Sequence, residues 1–394
     1  MTVFKKIIAS IAAALVSLSV TIPVLAAATL HPYDVNGDGN VSMADYTVLT
    51  MLLDGYKPLS YDKNDVTNNG VVSYADAATI FDYYRYGSSA SSASVANFNA
   101  LTPPTADIAS IYNSVTYLKR NCSTGAITEY TLNTNGDEAA STASAEWSTP
   151  MELDPNETAV VKLTAPDGDL IGTGTIIDDH IIATAAHCVY DKVQSEFLDI
   201  NVSIVGTGYT EIASYTPSYI HIPKLFINSN SNENDYALIY VDEDLSSYGK
   251  FEIGLALDSF VTDTTGKYSV KVSGFPANMS SQYDPDKTLN EQYISQICRY
   301  VSEGSIYGTN NILNGSANPN IMCHYAITYN GDSGGPVYVD ETYEINGVNY
   351  SCKTMVGIHL NGYHKYDWAS DKYSVARRIT ADQLRFYRAN TNLN

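Results

Sequence analysis

Basic residues are scarce in this chain of 394 residues, which has 22 lysines and arginines against 43 aspartates and glutamates. The formal charge of −21 argues against binding to nucleic acid or to anionic membranes, because those partners are themselves negatively charged. Cysteine is scarce too. The five cysteines form no CxxC pair and no cluster with histidine at metal-ligand spacing, which argues against a zinc site. Their odd number leaves at least one without a partner in the chain.

Long apolar runs are absent from the sequence after residue 26. Before it, Lys5 and Lys6 precede an apolar stretch over residues 7–20 and a small-residue end at Ala26, which is the pattern of a secretory signal peptide. The apolar stretch is short and is interrupted by serine, so a membrane anchor is disfavoured. We therefore expect residues 1–26 to be removed and the protein to be secreted, extracellular and without a membrane span.

A duplicated pattern of loop and helix covers residues 33–87. Each loop has oxygen-bearing side chains at positions 1, 3, 5 and 12 and glycine at position 6, and an apolar helical pattern follows it. Two such loops in register are a poor fit to chance Asx-rich turns. The second loop has two carboxylates against three in the first, so we expect it to bind calcium more weakly. The candidate calcium ligands are Asp34, Asn36, Asp38, Asn40 and Asp45 in the first loop, and Asp65, Thr67, Asn69, Val71 (through its carbonyl) and Asp76 in the second.

This repeat resembles a type I dockerin, the module that joins cellulosomal enzymes to cohesin domains of a scaffold protein. Dockerins have aspartate at loop position 12, where this chain has Asp45 and Asp76. The resemblance implies a small all-α calcium-binding module, a cohesin partner and attachment to a cell-surface scaffold. In dockerins the residues at loop positions 10 and 11 help to select the cohesin. Here these pairs are residues 43–44 and 74–75, Met-Ala and Tyr-Ala, and because they differ we do not expect two equivalent binding modes.

Residues 88–150 separate this repeat from the C-terminal region. Serine and alanine make up residues 88–94, which is the composition of a flexible linker, and residues 108–118 could form a short helix. The whole segment is either a long linker or a propeptide that is cut before the C-terminal region begins, and composition leaves both open. A cut within residues 134–150 would be expected to separate the repeat from the rest of the chain.

Three motifs in residues 151–394 carry the groups of an acyl-transfer site. TAAHC at 184–188 offers His187 as a general base, and NDYAL at 234–238 offers Asp235 as the carboxylate that orients it. GDSGGP at 331–336 offers Ser333, a hydroxyl nucleophile that needs such a base to take its proton. Many short strand patterns around these motifs, with one helix pattern over residues 381–388, predict a mainly β fold. Catalysis by these groups requires no cofactor.

The motifs and their order resemble the trypsin and chymotrypsin superfamily of serine endopeptidases. The resemblance implies a double six-stranded β-barrel with a C-terminal helix, a His-Asp-Ser triad, and an acyl-enzyme intermediate on a protein or peptide substrate. It also implies an oxyanion hole made by the backbone N–H groups of Gly331 and Ser333. One departure is that residues 172–175 contain no cysteine, so that Cys188 lacks the partner that it has in many relatives.

Thr328 and His359 stand at the positions that set substrate preference in this superfamily. The residue six before the serine is acidic in trypsin-like enzymes but is Ile327 here, which disfavours cleavage after Arg or Lys. Thr328 and His359 together are similar to the V8-type glutamyl endopeptidases, and the resemblance implies cleavage after Glu. Two alternatives stay open: an apolar pocket walled by Ile327 and Ile358, and a barrel without catalytic activity that serves as a binding module.

Overall fold

The computed structural model describes residues 31–35, 41–53, 64–86, 113–134, 148–207, 210–229, 231–262, 266–277, 298–308, 318–362 and 373–391. The signal-peptide prediction for residues 1–26 lies outside them, as does the Ser-Ala segment at 88–94. No helix in the described ranges is long and apolar enough to cross a membrane. The helices are α1 (Met43–Leu53), α2 (Tyr74–Tyr86), α3 (Lys224–Asn228), α4 (Asp258–Val261) and α5 (Ala381–Thr391).

Strands make up more of the described chain than helices do, as the sequence predicts. In chain order they begin with β1 (Val71–Val72), β2 (Asn113–Asn121), β3 (Ile127–Thr134), β4 (Glu152–Leu153), β5 (Val160–Thr164), β6 (Leu170–Asp178), β7 (Ile181–Thr184), β8 (Tyr190–Asp191), β9 (Glu196–Phe197), β10 (Asn201–Val205) and β11 (Glu211–Tyr215). The remaining strands are β12 (Tyr219–Pro223), β13 (Ala237–Tyr240), β14 (Glu252–Ile253), β15 (Leu255–Ala256), β16 (Ser269–Gly274), β17 (Tyr300–Gly308), β18 (Ile321–His324), β19 (Pro336–Ile345), β20 (Val348–Gly362) and β21 (Ser374–Arg378).

The second of the two large sheets closes on itself. Its strands follow the order β20-β19-β16-β17-β18-β21, and β21 pairs again with β20, so that six antiparallel strands form a ring. Two short strands extend this ring, β14 beside β20 and β4 beside β17. Buried residues such as Val272, Val337 and Val356 fill its interior. We call this ring the second barrel, and its six strands agree with the predicted number.

The first sheet is larger than predicted. Within the described residues it has nine strands, in the order β11-β10-β5-β6-β7-β13-β12-β2-β3, instead of the six expected. Two of the extra strands are the hairpin β2–β3, which comes from the segment assigned to a linker or propeptide. The predicted helix over residues 108–118 is wrong from residue 113 onward, because Asn113–Asn121 is a strand paired with β12.

The hairpin β2–β3 is fixed by aromatic packing as well as by its strand pairs. Tyr117 has no exposed surface, and its ring stacks on Phe386 of the C-terminal helix with centroids 4.3 Å apart. The Tyr117 hydroxyl lies 3.1 Å from the hydroxyl of Tyr236, next to β13. Buried aromatic rings are large apolar groups that pack favourably in offset or edge contacts. The hairpin is therefore part of the first sheet and of its core.

The two repeats begin their helices in the same way. In the first, the Ala44 N–H donates to the Ser42 hydroxyl, and the Ser42 N–H donates to the Asp45 carboxylate at 2.7 Å. In the second repeat, the Ala75 N–H donates to the Ser73 hydroxyl, and the Ser73 N–H donates to the Asp76 carboxylate at 2.9 Å. This is a capping box, which satisfies donors that the first helical turn leaves unpaired. The module is not all-α as predicted, because β1 forms in the second loop and pairs with β15.

Candidate active site

His187 and Asp235 are brought together by two neighbouring strands of the first sheet. His187 lies in a short 3₁₀ helix directly after β7, and Asp235 lies just before β13, whose Ala237 pairs with Thr184 of β7. The His187 ring places Nδ1 2.7 Å from Oδ2 of Asp235. The His187 backbone N–H donates to the other carboxylate oxygen at 2.9 Å. With Nδ1 facing a carboxylate, the ring leaves Nε2 free to accept a proton from a nucleophile.

Ser333 lies in a turn between the two sheets. Its carbonyl accepts from the Thr173 N–H at 2.8 Å and from the Cys188 thiol at 3.4 Å, which ties the turn to the first sheet. Its hydroxyl donates to the Leu360 carbonyl of β20 at 3.0 Å. In the described part of the chain the hydroxyl makes no hydrogen bond to His187. Catalytic hydrogen bonds are often formed only with substrate bound, and a turn of the Ser333 side chain would redirect this hydroxyl.

Two backbone donors beside the serine are available to a ligand. Among the described hydrogen bonds, neither the Gly331 N–H nor the Ser333 N–H has an acceptor. Gly331 has φ +103°, a backbone conformation that residues with a side chain rarely adopt, and a Cβ there would lie 2.2 Å from the Phe275 carbonyl oxygen. Glycine is therefore required for this backbone path. Preorganised N–H groups of this kind stabilise an oxyanion.

The pKa of His187 is raised well above its usual value. Burial disfavours the charged ring and acts to lower the pKa, but the Asp235 carboxylate and Cys188 act in the opposite direction and prevail. The His187 side chain still has 36% of its surface exposed, so a substrate can reach it. Because an imidazole must be neutral to accept a proton, His187 can act as a base only above the raised pKa.

Asp332, beside the serine, has a different environment. Burial raises the pKa of its carboxyl to about 8, and the hydrogen bond from the Tyr329 N–H only partly opposes this shift. That bond is 2.8 Å long and goes to Oδ2, whereas Oδ1 has no partner in the described part of the chain. Asp332 is thus a buried carboxyl group that stabilises the serine turn by accepting a hydrogen bond from one backbone N–H.

Thr328, between β18 and β19, and His359, in β20, are both buried. The Thr328 hydroxyl lies 2.7 Å from the Ser374 hydroxyl, and Ser374 donates to the Ala326 carbonyl at 3.0 Å. The His359 and His324 rings make an edge contact, with centroids 6.0 Å apart, and His324 pairs with Ser374 across β18 and β21. The sequence motifs single out neither Ser374 nor His324, because only the strand pairing brings them beside Thr328 and His359.

The two candidate calcium loops are described to different extents. In the first, Asp34 and Asp45 are buried, and residues 36–40, which include Asn36, Asp38 and Asn40, lie outside the described ranges. All of the second loop is described. Its Thr67 hydroxyl lies 3.0 Å from an oxygen of Asp76 and 3.4 Å from an oxygen of Asp65. The sixth position of this loop is Gly70, with φ +83°.

The second loop offers only oxygen atoms as candidate metal ligands. Within the described ranges no group of three or more His, Cys, Asp and Glu side chains is arranged to hold a metal ion. An ion in this loop would therefore combine two carboxylates with the Thr67 hydroxyl, the Asn69 amide oxygen and the Val71 carbonyl. Calcium accepts such a set of hard oxygens, so the residues present fit calcium. Burial raises the pKa of Asp76 to about 7, although the backbone hydrogen bonds from Thr67 and Ser73 act to lower it. The nearby carboxylates of Asp65 and Glu341 add to the rise.

Two sheets with a His-Asp pair and a glycine-rich serine turn at their junction have the architecture of the two-barrel class of serine peptidases. The trypsin family matches residues 151–380, more than half of the chain, and the protein belongs to that family.

A curated relative, the glutamyl endopeptidase of Bacillus licheniformis, is 25% identical over 228 residues. The match covers 57% of this chain and 60% of that relative, so the chain spans less than two thirds of the relative's length. A solved structure of a Glu endopeptidase in complex with MPD matches with a TM-score of 0.44 and 20% identity. That match covers 61% of this chain and 96% of the solved chain.

Proposed function

We propose that this protein is a serine endopeptidase whose catalytic residues are His187, Asp235 and Ser333. The observation that carries the proposal is the hydrogen-bonded pair of His187 and Asp235 beside the GDSGGP turn of a trypsin-family chain. The neutral His187 ring accepts the Ser333 proton at Nε2 while its Nδ1–H donates to Asp235. The uncommitted N–H groups of Gly331 and Ser333 then stabilise the oxyanion that forms when the Ser333 oxygen attacks the peptide carbonyl.

The reaction continues through an acyl-enzyme. His187, now protonated, gives its proton to the leaving amine, and the acyl group stays on the Ser333 oxygen. A water molecule then attacks the ester carbonyl while His187 takes its proton, and His187 returns that proton to the Ser333 oxygen as the ester bond breaks and the acid product leaves. Apart from that water, these steps use only groups of the chain, and no cofactor takes part in them.

The substrate preference that we propose is for Glu on the acyl side of the cut bond. Thr328 and Ser374 supply hydroxyl groups and His359 supplies an imidazole, and all three are buried. A buried carboxylate needs such hydrogen-bond donors to replace its water shell. The relative that matches at 25% identity is itself named a glutamyl endopeptidase. The alternative, an apolar pocket walled by Ile327 and Ile358, predicts cleavage after Phe or Leu instead.

The test is hydrolysis of a set of peptides that differ only in the residue on the acyl side of the cut bond, which is Glu, Gln, Phe, Leu or Arg. The wild-type protein is compared with the variant Ser333→Ala. Cleavage after Glu that is lost in Ser333→Ala is the expected result. Cleavage after Phe or Leu would keep the peptidase and reject the Glu preference. If neither protein cleaves, and a covalent serine-directed probe fails to label Ser333, the barrel is a binding module instead.

The repeat is proposed to tether this secreted peptidase to a scaffold outside the cell. Calcium would be held by the residues named for each loop, and a cohesin domain would bind the loaded module. Supporting observations are the identical capping boxes of α1 and α2, which agree with a true duplication. A native-gel shift with a recombinant type I cohesin, in calcium and in chelator, tests the tether. No shift with any cohesin in a panel would reject it.

A further inference from the structure

The second repeat pairs through its backbone with β15, a short strand next to the second barrel. Val71 pairs with Ala256 and Val72 with Leu255, and the Leu257 N–H donates to the Gly70 carbonyl at 3.0 Å. Val71 and Val72 have no exposed surface, and the side chain of Val71 belongs to the core of the second barrel. The second half of the calcium loop is thus built into the peptidase as a strand.

Close contacts leave little space between the loop and the barrel. A Cβ at Gly70 would lie 2.8 Å from a ring carbon of Phe260, and a Cβ at Gly254 would lie 3.0 Å from a methyl group of Val71. On the other side of the loop, the Tyr74 ring meets the edge of the Tyr343 ring, with centroids 5.7 Å apart. At this packing density, a change in the shape of the loop is transmitted to the atoms of the barrel.

Glu341 of β19 reaches from the barrel to the calcium loop. Only 4% of its surface is exposed. One carboxylate oxygen accepts from the Asn69 side-chain amide at 2.6 Å, and the other accepts from the Thr354 hydroxyl. No lysine or arginine forms an ion pair with Glu341, Asp65 or Asp76 among the described residues.

The contact with Glu341 decides which way the Asn69 amide points. An ionised carboxylate can only accept, so the nitrogen of the Asn69 amide faces Glu341 and the amide oxygen is turned towards the loop. That oxygen accepts the Val71 N–H at 2.8 Å and has a second lone pair. Asn69 stands at loop position 5, where a calcium loop uses a side-chain oxygen as a ligand.

We propose that the second loop is a structural calcium site of the peptidase, in which Glu341 is a positioning residue that holds the Asn69 oxygen towards the ion. Calcium then neutralises the two loop carboxylates, and the ordered loop fastens β1 to β15. Residues that orient metal ligands commonly change metal affinity by about 10–100-fold when removed. The inference rests on the calcium binding of the proposed function. It adds that the peptidase itself, and not only the tether, is stabilised by the ion.

The test uses the full chain carrying Ser333→Ala, so that self-digestion cannot interfere. Calcium chloride is titrated into chelator-stripped protein by calorimetry, and unfolding of the barrel is followed by near-UV circular dichroism with and without calcium. Glu341→Ala is expected to weaken one of two calcium sites by tenfold or more and to reduce the calcium-induced rise in Tm. Glu341→Gln keeps an acceptor for Asn69 and should restore most of the affinity. Glu344→Ala, an exposed change on the same strand, should alter neither value.

Variants of the loops separate this inference from simple damage to the fold. Asp65→Asn should remove the calcium-induced rise in the Tm of the barrel, whereas Asp45→Asn in the first loop should leave that rise in place. If wild-type protein binds no calcium, the calcium role in the proposed function fails and this inference fails with it. If two ions bind and Glu341→Ala lowers Tm equally with and without calcium, at unchanged affinity, the proposed function stands and this inference is overturned.

Discussion

Replacing Asp235 with asparagine tests the catalytic pair most directly. Asp235 accepts two hydrogen bonds from His187, at 2.7 Å from the ring and 2.9 Å from the backbone. A hydrogen bond to an ionised acceptor contributes a free energy of about 1.5–3 kcal/mol, so the two bonds together contribute about 3–6 kcal/mol. If that energy supports the reactive form of the ring, Asp235→Asn should lower kcat by about 10²–10⁴-fold. The larger loss is expected, because the asparagine amide would face Nδ1 as a donor and would place the ring proton on Nε2.

The assay is kcat and KM for a fluorogenic Glu peptide between pH 5 and 10, with Asp242→Asn, an exposed change, as the matched control. In the wild type, activity should rise with pH through a His187 pKa above 6.5, because the protonated ring cannot act as a base. In Asp235→Asn that rise should move to lower pH, since the charge that raises the pKa is gone. A loss of less than tenfold, in a variant with unchanged Tm, would refute the role of Asp235.

Two further substitutions test the oxyanion donors and the added hairpin. Gly331→Ala should lower kcat by about 10²–10³-fold, because a Cβ would meet the Phe275 carbonyl and displace the N–H group. Normal turnover by the folded variant would show that the Gly331 N–H is not used. Tyr117→Ala should lower the free energy of unfolding by about 3–5 kcal/mol, since the ring is fully buried against Phe386. Urea denaturation measures this, and a loss below about 1 kcal/mol would contradict a core role for the hairpin.

Local motifs predicted the groups at the candidate site better than their surroundings. His187, Asp235 and Ser333 stand in short segments whose chemistry can be read residue by residue, and the six strands of the second barrel follow from the family resemblance. Ser374 and His324 could not be identified in this way, because they reach Thr328 and His359 only through pairing between strands that are far apart in the chain. Tertiary pairing of this kind leaves no local sequence signal.

The segment before the peptidase was the least predictable part. The alternation in β2 is weak, and the strand forms because β12 offers five residue pairs and α5 offers an aromatic surface to Tyr117. The same holds for β1, a two-residue strand whose partner lies almost two hundred residues away in the sequence. Composition indicated a flexible connection in the first case, and the dockerin resemblance implied an all-α module in the second. Both signals are local, whereas both contacts are long-range.

The hairpin β2–β3 changes what a cut in the chain would do. A peptide bond broken between Thr134 and Ser148 would end the covalent connection but would leave β2 paired with β12 and Tyr117 enclosed by its neighbours. The two pieces would then remain a single particle, with the repeat still held to the barrel through β1. Such a nicked protein would run as two bands under denaturing conditions and as one species in solution. The order of residues alone sets a maturation cut against the proposed tether, but in the folded molecule the two are compatible.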